Sequence, residues 1–175
     1  MKRVLSDFYD VQGGGFFLTS MTGETLLYRP KELYDGAMPS GNSVMAWLLL
    51  QLGGLLEETD LILAGRLQLE FLAGAIEEYP PGYSQALTAF MWELYPHCRL
   101  VAALPDVTAQ EELQKLLRHF YLPQWQVRLA ATTGPYVMLA GQATFYLCQG
   151  QTCQAPLKGF AALEKRLTQE KGGDC

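Results

Sequence analysis

The sequence is short of charge, and histidine is nearly absent. Charged residues make up 18% of its 175 positions, and two positions are histidine. Lys and Arg number 13 against 18 acidic residues, for a net charge of −5 and a pI near 5.0. The cations are scattered and form no basic stripe. A nucleic-acid partner needs clustered cations to displace condensed counterions, so that class is excluded. His97 and His119 have no local signature of a Ser-His-Asp arrangement. Apolar runs are interrupted by Gly, Glu or Gln well before the ~20 residues of a membrane span, so no membrane association is expected. Behind the basic pair of Met1-Lys2-Arg3 there is no apolar stretch of the kind a signal peptide requires, which makes a cytoplasmic location the default. Neither Cys-x-x-Cys nor Gly-x-Gly-x-x-Gly occurs. Gly13-Gly14-Gly15 precede a strand-like run rather than a helix, so they read as a place of close backbone approach and not as a nucleotide loop. No cofactor and no metal are expected.

Apolar residues, by contrast, reach 49%. That is ample for one core or a core plus a small appendage, and it implies apolar surface that is buried against something further. Val4 to Tyr9 read as the tail of a helix. Gly13 to Ser20 and Thr25 to Arg29, joined by the turn Met21 to Glu24, predict a β-hairpin lying on a larger body. A loop rich in Pro, Gly and Asn runs from Pro30 to Ser43. A helix follows over about 44–56, capped by Asn42 or Ser43 and apolar nearly all round, the mark of a buried helix. A second helix is expected over about 60–78, capped by Thr59 or Asp60, and a third over about 84–94, with Pro80-Pro81-Gly82 between them. Helix, short link, helix is the pattern of stacked α-hairpins.

Near Pro96 the texture changes. A strand at about 99–104, a helix opened by the capping box Thr108-Ala109-Gln110-Glu111 and reaching about Phe120, and a strand at about 125–130 predict a parallel pair with a right-handed crossover. A third strand at about 143–147 and a helix at about 158–169 follow, with a frayed tail from 171 to 175. The expectation is a mainly α chain: residues 1–96 a partial α-hairpin segment with an N-terminal β-hairpin, residues 97–175 a small βαββα unit.

Three stretches carry a family resemblance: Gly13-Gly14-Gly15-Phe16-Phe17 with Gly23-Glu24; Arg29-Pro30-Lys31-Glu32 leading to the run from Tyr34 to Ser43; and Tyr146-Leu147-Cys148 followed by Thr152-Cys153-Gln154-Ala155-Pro156. In this order and spacing they resemble the C-terminal end of the YyaL-type thioredoxin-domain proteins, which include the spermatogenesis-associated homologues. The resemblance covers nearly the whole chain. It implies part of a six-hairpin toroid similar to those of sugar epimerases and glycosidases, without the family's thioredoxin domain, and therefore a C-terminal fragment.

The Tyr34 to Ser43 loop is the best candidate site. A Gly/Pro-fixed loop at a helix N-terminus presents N–H groups and hydroxyls, so Tyr34, Ser40, Asn42 and Ser43 can bind sugar hydroxyls or an anion. Asp35 and Glu32 can supply acid/base function. The competing reading has Asp35 and Asn42 only capping and bracing the loop. Trp47 and Trp92 suit sugar stacking or, more simply, core packing. The cysteines Cys98, Cys148, Cys153 and Cys175 are expected as reduced thiols. Cys148 and Cys153 stay open as structural thiols, a redox pair, or half a metal site completed by His97 and Cys98. Two functional classes follow: a carbohydrate-directed toroid module with a small sugar ligand, or a non-catalytic interaction module. The second docks on a separately encoded N-terminal portion or forms a homo-oligomer through its first two long helices.

Overall fold

A computed structural model describes residues 1–95, 97–131, 133–150 and 152–169. It divides the chain into two compact units, Met1–Leu94 and a second beginning at Tyr95.

The first unit is helical: α1 (Lys2–Phe8), α2 (Gly41–Leu56), α3 (Thr59–Glu78) and α4 (Ser84–Leu94), with a 3-10 turn at Pro80–Gly82. The Ser40 hydroxyl caps α2 by accepting the Ser43 N–H. The cap thus lies earlier than the expected Asn42 or Ser43, because both of those side chains turn into the core. Helix α2 stops at Glu57, which takes a left-handed conformation (φ 58°) and donates its N–H to the Gly53 carbonyl. Helix α3 begins one residue before the expected range and has Glu58 in the cap position, with no side-chain cap from Thr59 or Asp60. The α2–α3 contact is close because glycine faces it from both sides. A Cβ on Gly65 would lie 2.8 Å from Leu50 Cγ, and one on Gly53 2.6 Å from Ile62 Cγ1.

The apolar character of α2 all round has a direct cause. Ala46 and Leu50 pack with Leu69, Leu72 and Ile76 of α3 and with Ala86, Ala89 and Trp92 of α4. Leu49, from another face, packs with Phe16 and Leu61, a cluster flanked by Val4, Leu5 and Phe8 of α1.

The expected β-hairpin does not form. Residues Gly13 to Arg29 hold one isolated bridge, between Tyr9 and Phe16. The Asp10 carboxylate accepts the Gln12 and Gly13 N–H groups, and Gly14 and Gly15 adopt positive φ (71° and 76°), so the chain doubles back on α1 instead of running forward to 25–29. The Phe17 N–H goes to the Phe8 carbonyl and the Leu18 N–H to the carbonyl of Pro30, just past the second run, while the two runs are tied by the Arg29 side chain, which donates to the Thr19 hydroxyl and carbonyl, rather than by a backbone ladder. Leu27 and Tyr28, which a hairpin would have packed on its body, are exposed.

The second unit is a small mixed sheet with helices: β1 (Cys98–Ala103), α5 (Val107–Leu117), β2 (Trp125–Leu129), β3 (Thr144–Gln149), β4 (Thr152–Cys153), β5 (Leu157–Lys158) and α6 (Phe160–Gln169). Strand order is β2-β1-β3-β4, with β5 also paired to β3. β1 and β2 are parallel, Cys98 opposite Trp125, as strand–helix–strand order implies; β3 is antiparallel to β1, Ala103 opposite Thr144. The short strands β4 and β5 extend the expected βαββα pattern. The cap of α5 is Asp106, which accepts the Ala109 N–H, in place of the expected Thr108 box, and the helix ends at Leu117 rather than Phe120. On one sheet face Leu100, Phe145 and Leu147 pack with Leu113 of α5 and Leu163 and Leu167 of α6. On the other, Val101, Ala103, Tyr146 and Cys148 are covered by Ala130 and Tyr136. Alternation along β1 thus feeds two cores.

Candidate functional site

The Tyr34–Ser43 loop leads into α2, and its polar side chains turn inward. Asp35 is buried. One of its carboxylate oxygens accepts the Ser40 N–H at 2.8 Å, and the other accepts the Gln85 and Ala86 N–H groups at 3.0 and 3.2 Å. Asp35 therefore caps α4 from a loop some fifty positions earlier, where carboxylate charge also complements the positive end of the helix dipole. Its own N–H donates to the Gly82 carbonyl.

Asn42 is fully buried and occupies all of its carboxamide. Its Oδ1 accepts the Phe16 N–H at 2.7 Å and Gln68 Nε2 at 2.9 Å, and its Nδ2 donates to the carbonyls of Phe16 (2.9 Å) and Glu32 (2.7 Å). One side chain thus ties the Gly13–Phe17 turn, the loop and α3 together, in a buried polar network whose remaining atom, Gln68 Oε1, has no partner among the described residues. Ser40 and Ser43 are buried against each other, Oγ to Oγ at 2.9 Å.

Two of the candidate residues face outward. Tyr34 is half exposed, its ring edge-on to Tyr83 with centroids 6.0 Å apart. Glu32 is exposed. The structure therefore brings Asp35, Ser40, Asn42 and Ser43 into one buried scaffold and leaves Tyr34 and Glu32 on its rim. Trp92 is buried in the helical core and Trp47 packs at its edge.

Beside this scaffold lies a cationic stack. Arg29 stands 4.1 Å and Lys31 4.8 Å from the Phe17 ring centre, and Lys31 is also 5.1 Å from that of Phe71. Lys31 Nζ bonds Asp10 at 2.7 Å and the Gly14 carbonyl. That ammonium, with the Gly13 and Gln12 N–H groups, lowers the Asp10 carboxyl from 3.8 to about 2.

In the second unit Cys148 and Cys153 form a disulfide. The expectation of reduced thiols is corrected at this pair, because β3–β4 pairing sets the two residues directly opposite each other. Joined to each other, the sulfurs are not available as thiolate metal ligands. Cys98, at the start of β1 in the sheet core, is also disulfide-bonded, so the reduced-thiol expectation is corrected there too, and Cys175 lies outside the described residues. His119 sits at the end of α5 and is exposed, its Nδ1 2.8 Å from the Lys115 carbonyl. Among the described residues no three His, Cys, Asp or Glu side chains gather at metal-binding distance, and no helix is long and apolar enough to cross a membrane. Sequence reasoning missed the partners that give these residues their roles: Phe16, Gln68, the α4 N-terminus and Tyr136. All are distant in sequence or apolar, and only the fold brings them in.

No protein-family model matches the chain. It is similar to spermatogenesis-associated protein 20 of Homo sapiens, 29% identical over 179 aligned residues that cover 91% of this chain and 22% of the relative. It is likewise 28% identical to spermatogenesis-associated protein 20 of Rattus norvegicus, over 93% of this chain and 22% of that protein. The chain thus spans about a fifth of the length of the curated relatives it matches.

Proposed function

We propose that this chain is a non-catalytic interaction module, a segment of a six-hairpin toroid of the spermatogenesis-associated type, whose exposed apolar helix faces pair with a second copy. The observation that supports it most is the inward-turned loop. Each oxygen of Asp35 and each polar atom of the Asn42 carboxamide already has a partner within the fold. A general acid or base must reach its substrate, and a carboxylate that caps a helix from a buried position does not. Exposed apolar side chains on α2 and α3 offer different chemistry. Val44 on α2 and Leu63 and Leu67 on α3 are 38%, 50% and 54% exposed. Full burial of such side chains favours association by roughly 1.5–3 kcal/mol each, less the fraction already covered. Sedimentation at micromolar concentration tests the reading. A dimer weakened by Leu63→Lys supports it; a monomer, or a complex formed only with a separately encoded N-terminal portion, removes the second copy.

A carbohydrate-directed reading has one observation in its favour: Tyr34 is half exposed, and Glu32, two positions earlier in the chain, is exposed, an aromatic ring and a carboxylate suited to stacking and to bonding a sugar hydroxyl. In this reading Glu32 is the reacting carboxylate, Asp35 holds the loop with Ser40, Asn42 and Ser43, and the site completes only within the larger toroid. A thermal-shift screen against a sugar panel, with Tyr34→Ala and Glu32→Gln as controls, tests it. The absence of any shift that depends on Tyr34 or Glu32 removes it.

A further inference from the structure

We propose that Cys148 and Cys153 are a thiol–disulfide exchange site, with Cys153 the sulfur attacked, Cys148 the leaving thiolate, and a dithiol as reductant. Three observations converge on the pair. The first is asymmetric access. Cys153 lies on β4, a two-residue strand at the sheet edge whose residues are both exposed, whereas Cys148 is 1% exposed among Val101, Ala103 and Tyr146. An incoming thiolate therefore reaches Cys153 Sγ and not Cys148 Sγ, and exchange requires attack on one defined sulfur. The second is a shared hydroxyl. The Tyr136 oxygen lies 3.7 Å from Cys153 Sγ and 3.9 Å from Cys148 Sγ, so a single phenol can donate a hydrogen bond to whichever sulfur carries charge. Tyr136 is held for this by Tyr146, ring centroids 5.0 Å apart, and by the Arg128 guanidinium 5.5 Å from its ring centre. The third is how little the bond constrains. It closes a sequence separation of five residues across strands already paired at these positions. A short loop restricts the unfolded chain least, so opening the disulfide leaves the sheet its hydrogen bonds.

The step balances as follows. A thiolate of the dithiol attacks Cys153 Sγ and forms a mixed disulfide. The Cys148–Cys153 bond breaks, and its electron pair goes to Cys148, whose charge the Tyr136 O–H stabilises until a solvent proton neutralises it. The second thiol of the reductant then attacks its own sulfur in the mixed disulfide and releases Cys153 as a thiolate, which solvent protonates. The reductant ends as a cyclic disulfide, and two electrons and two protons have passed to the cysteine pair.

Dithiothreitol serves as the probe, on the full chain under native conditions, with alkylated cysteines mapped by peptide mass and the fold followed by circular dichroism. Cys153 becomes alkylatable first and Cys148 more slowly, with the spectrum unchanged. In Cys148→Ala, glutathione disulfide forms a mixed disulfide at Cys153; in Cys153→Ala, Cys148 stays largely unmodified. Tyr136→Phe slows reduction by roughly threefold to tenfold, the loss of about one hydrogen bond, and moves the pH profile of Cys148 alkylation upward. A bond that opens only when the spectrum is lost would overturn the proposal, and so would faster modification of Cys148 than of Cys153. A Tyr136→Phe protein with unchanged rate and pH profile would overturn the role of the phenol.

Discussion

Replacing Asn42 with alanine should cost the helical unit a large part of its stability. The substitution removes the partner of four groups at once: the Phe16 N–H and carbonyl, the Glu32 carbonyl and Gln68 Nε2. Phe16 and Gln68 are 4% and 0% exposed, so water reaches them poorly. A buried polar group left without its partner costs about 1–3 kcal/mol. Gln68 Nε2 keeps a longer bond of 3.3 Å to the Asn42 backbone carbonyl, and the Glu32 carbonyl lies in a partly buried place, so the four do not all reach the upper figure. The expected loss is about 3–6 kcal/mol, against a typical total of about 5–15 kcal/mol for a domain. With a urea slope near 2 kcal/mol/M the midpoint falls by roughly 1.5–3 M. Trp47 and Trp92 belong to the helical unit and Trp125 to the sheet unit, so fluorescence in a Trp125→Phe background follows the affected unit alone. A loss below about 1 kcal/mol would refute the reasoning, because it would mean the four groups find other partners or are not buried.

Asp35→Asn keeps one acceptor oxygen but loses the charge at the α4 N-terminus and one of two acceptor positions; urea unfolding should show a loss of about 1–3 kcal/mol, and Asp35→Ala a larger one. Gly15→Ala should destabilise strongly in a thermal melt, since φ is +76° and the new Cβ would stand 2.3 Å from Phe71 Cε1, while Gly134→Ala, with nothing within 4 Å, should not. The Asp10 carboxyl is lower in the fold than in the unfolded chain, so its pairing with Lys31 stabilises the protein above the unfolded value and the contribution fades as pH drops from 3.8 to about 2. Acid-dependent melts of Asp10→Asn should therefore differ from the parent above that window and converge with it below; a difference that persists below it would contradict the assignment.

The helices were legible because their signals are local. Pro80-Pro81-Gly82 stops one helix and Ser84 opens the next, and α4 falls on 84–94 as the pattern predicts. The parallel β1–β2 pair was legible for the same reason: two apolar runs flank an amphipathic helix. The hairpin was misread because its determinants are tertiary. Strand-like residues at 13–20 and 25–29 meet the β propensity requirement, but Asn42 and Phe8 take the backbone groups that a ladder would use. The polar character of the 34–43 loop was visible, and the direction of its side chains was not. Asp35 looks equally like a cap or a catalytic acid until the N-terminus of α4 is placed against it, about fifty positions downstream. The cysteine pair shows the same limit. Four intervening residues leave structural thiols, a redox pair and half a metal site open until β3 and β4 lie side by side.

The central claim is that the exposed apolar positions of α2 and α3 are an interface and that the 34–43 loop is a scaffold. Sedimentation equilibrium of the intact chain between about 1 and 50 micromolar tests it most directly, comparing the parent with Leu63→Lys/Leu67→Lys and with Glu32→Gln. The account predicts a concentration-dependent mass above 19.5 kDa for the parent and for Glu32→Gln, and 19.5 kDa for the lysine variant with its helical spectrum intact. A parent that stays at 19.5 kDa throughout, folded and unchanged by the lysines, would contradict it.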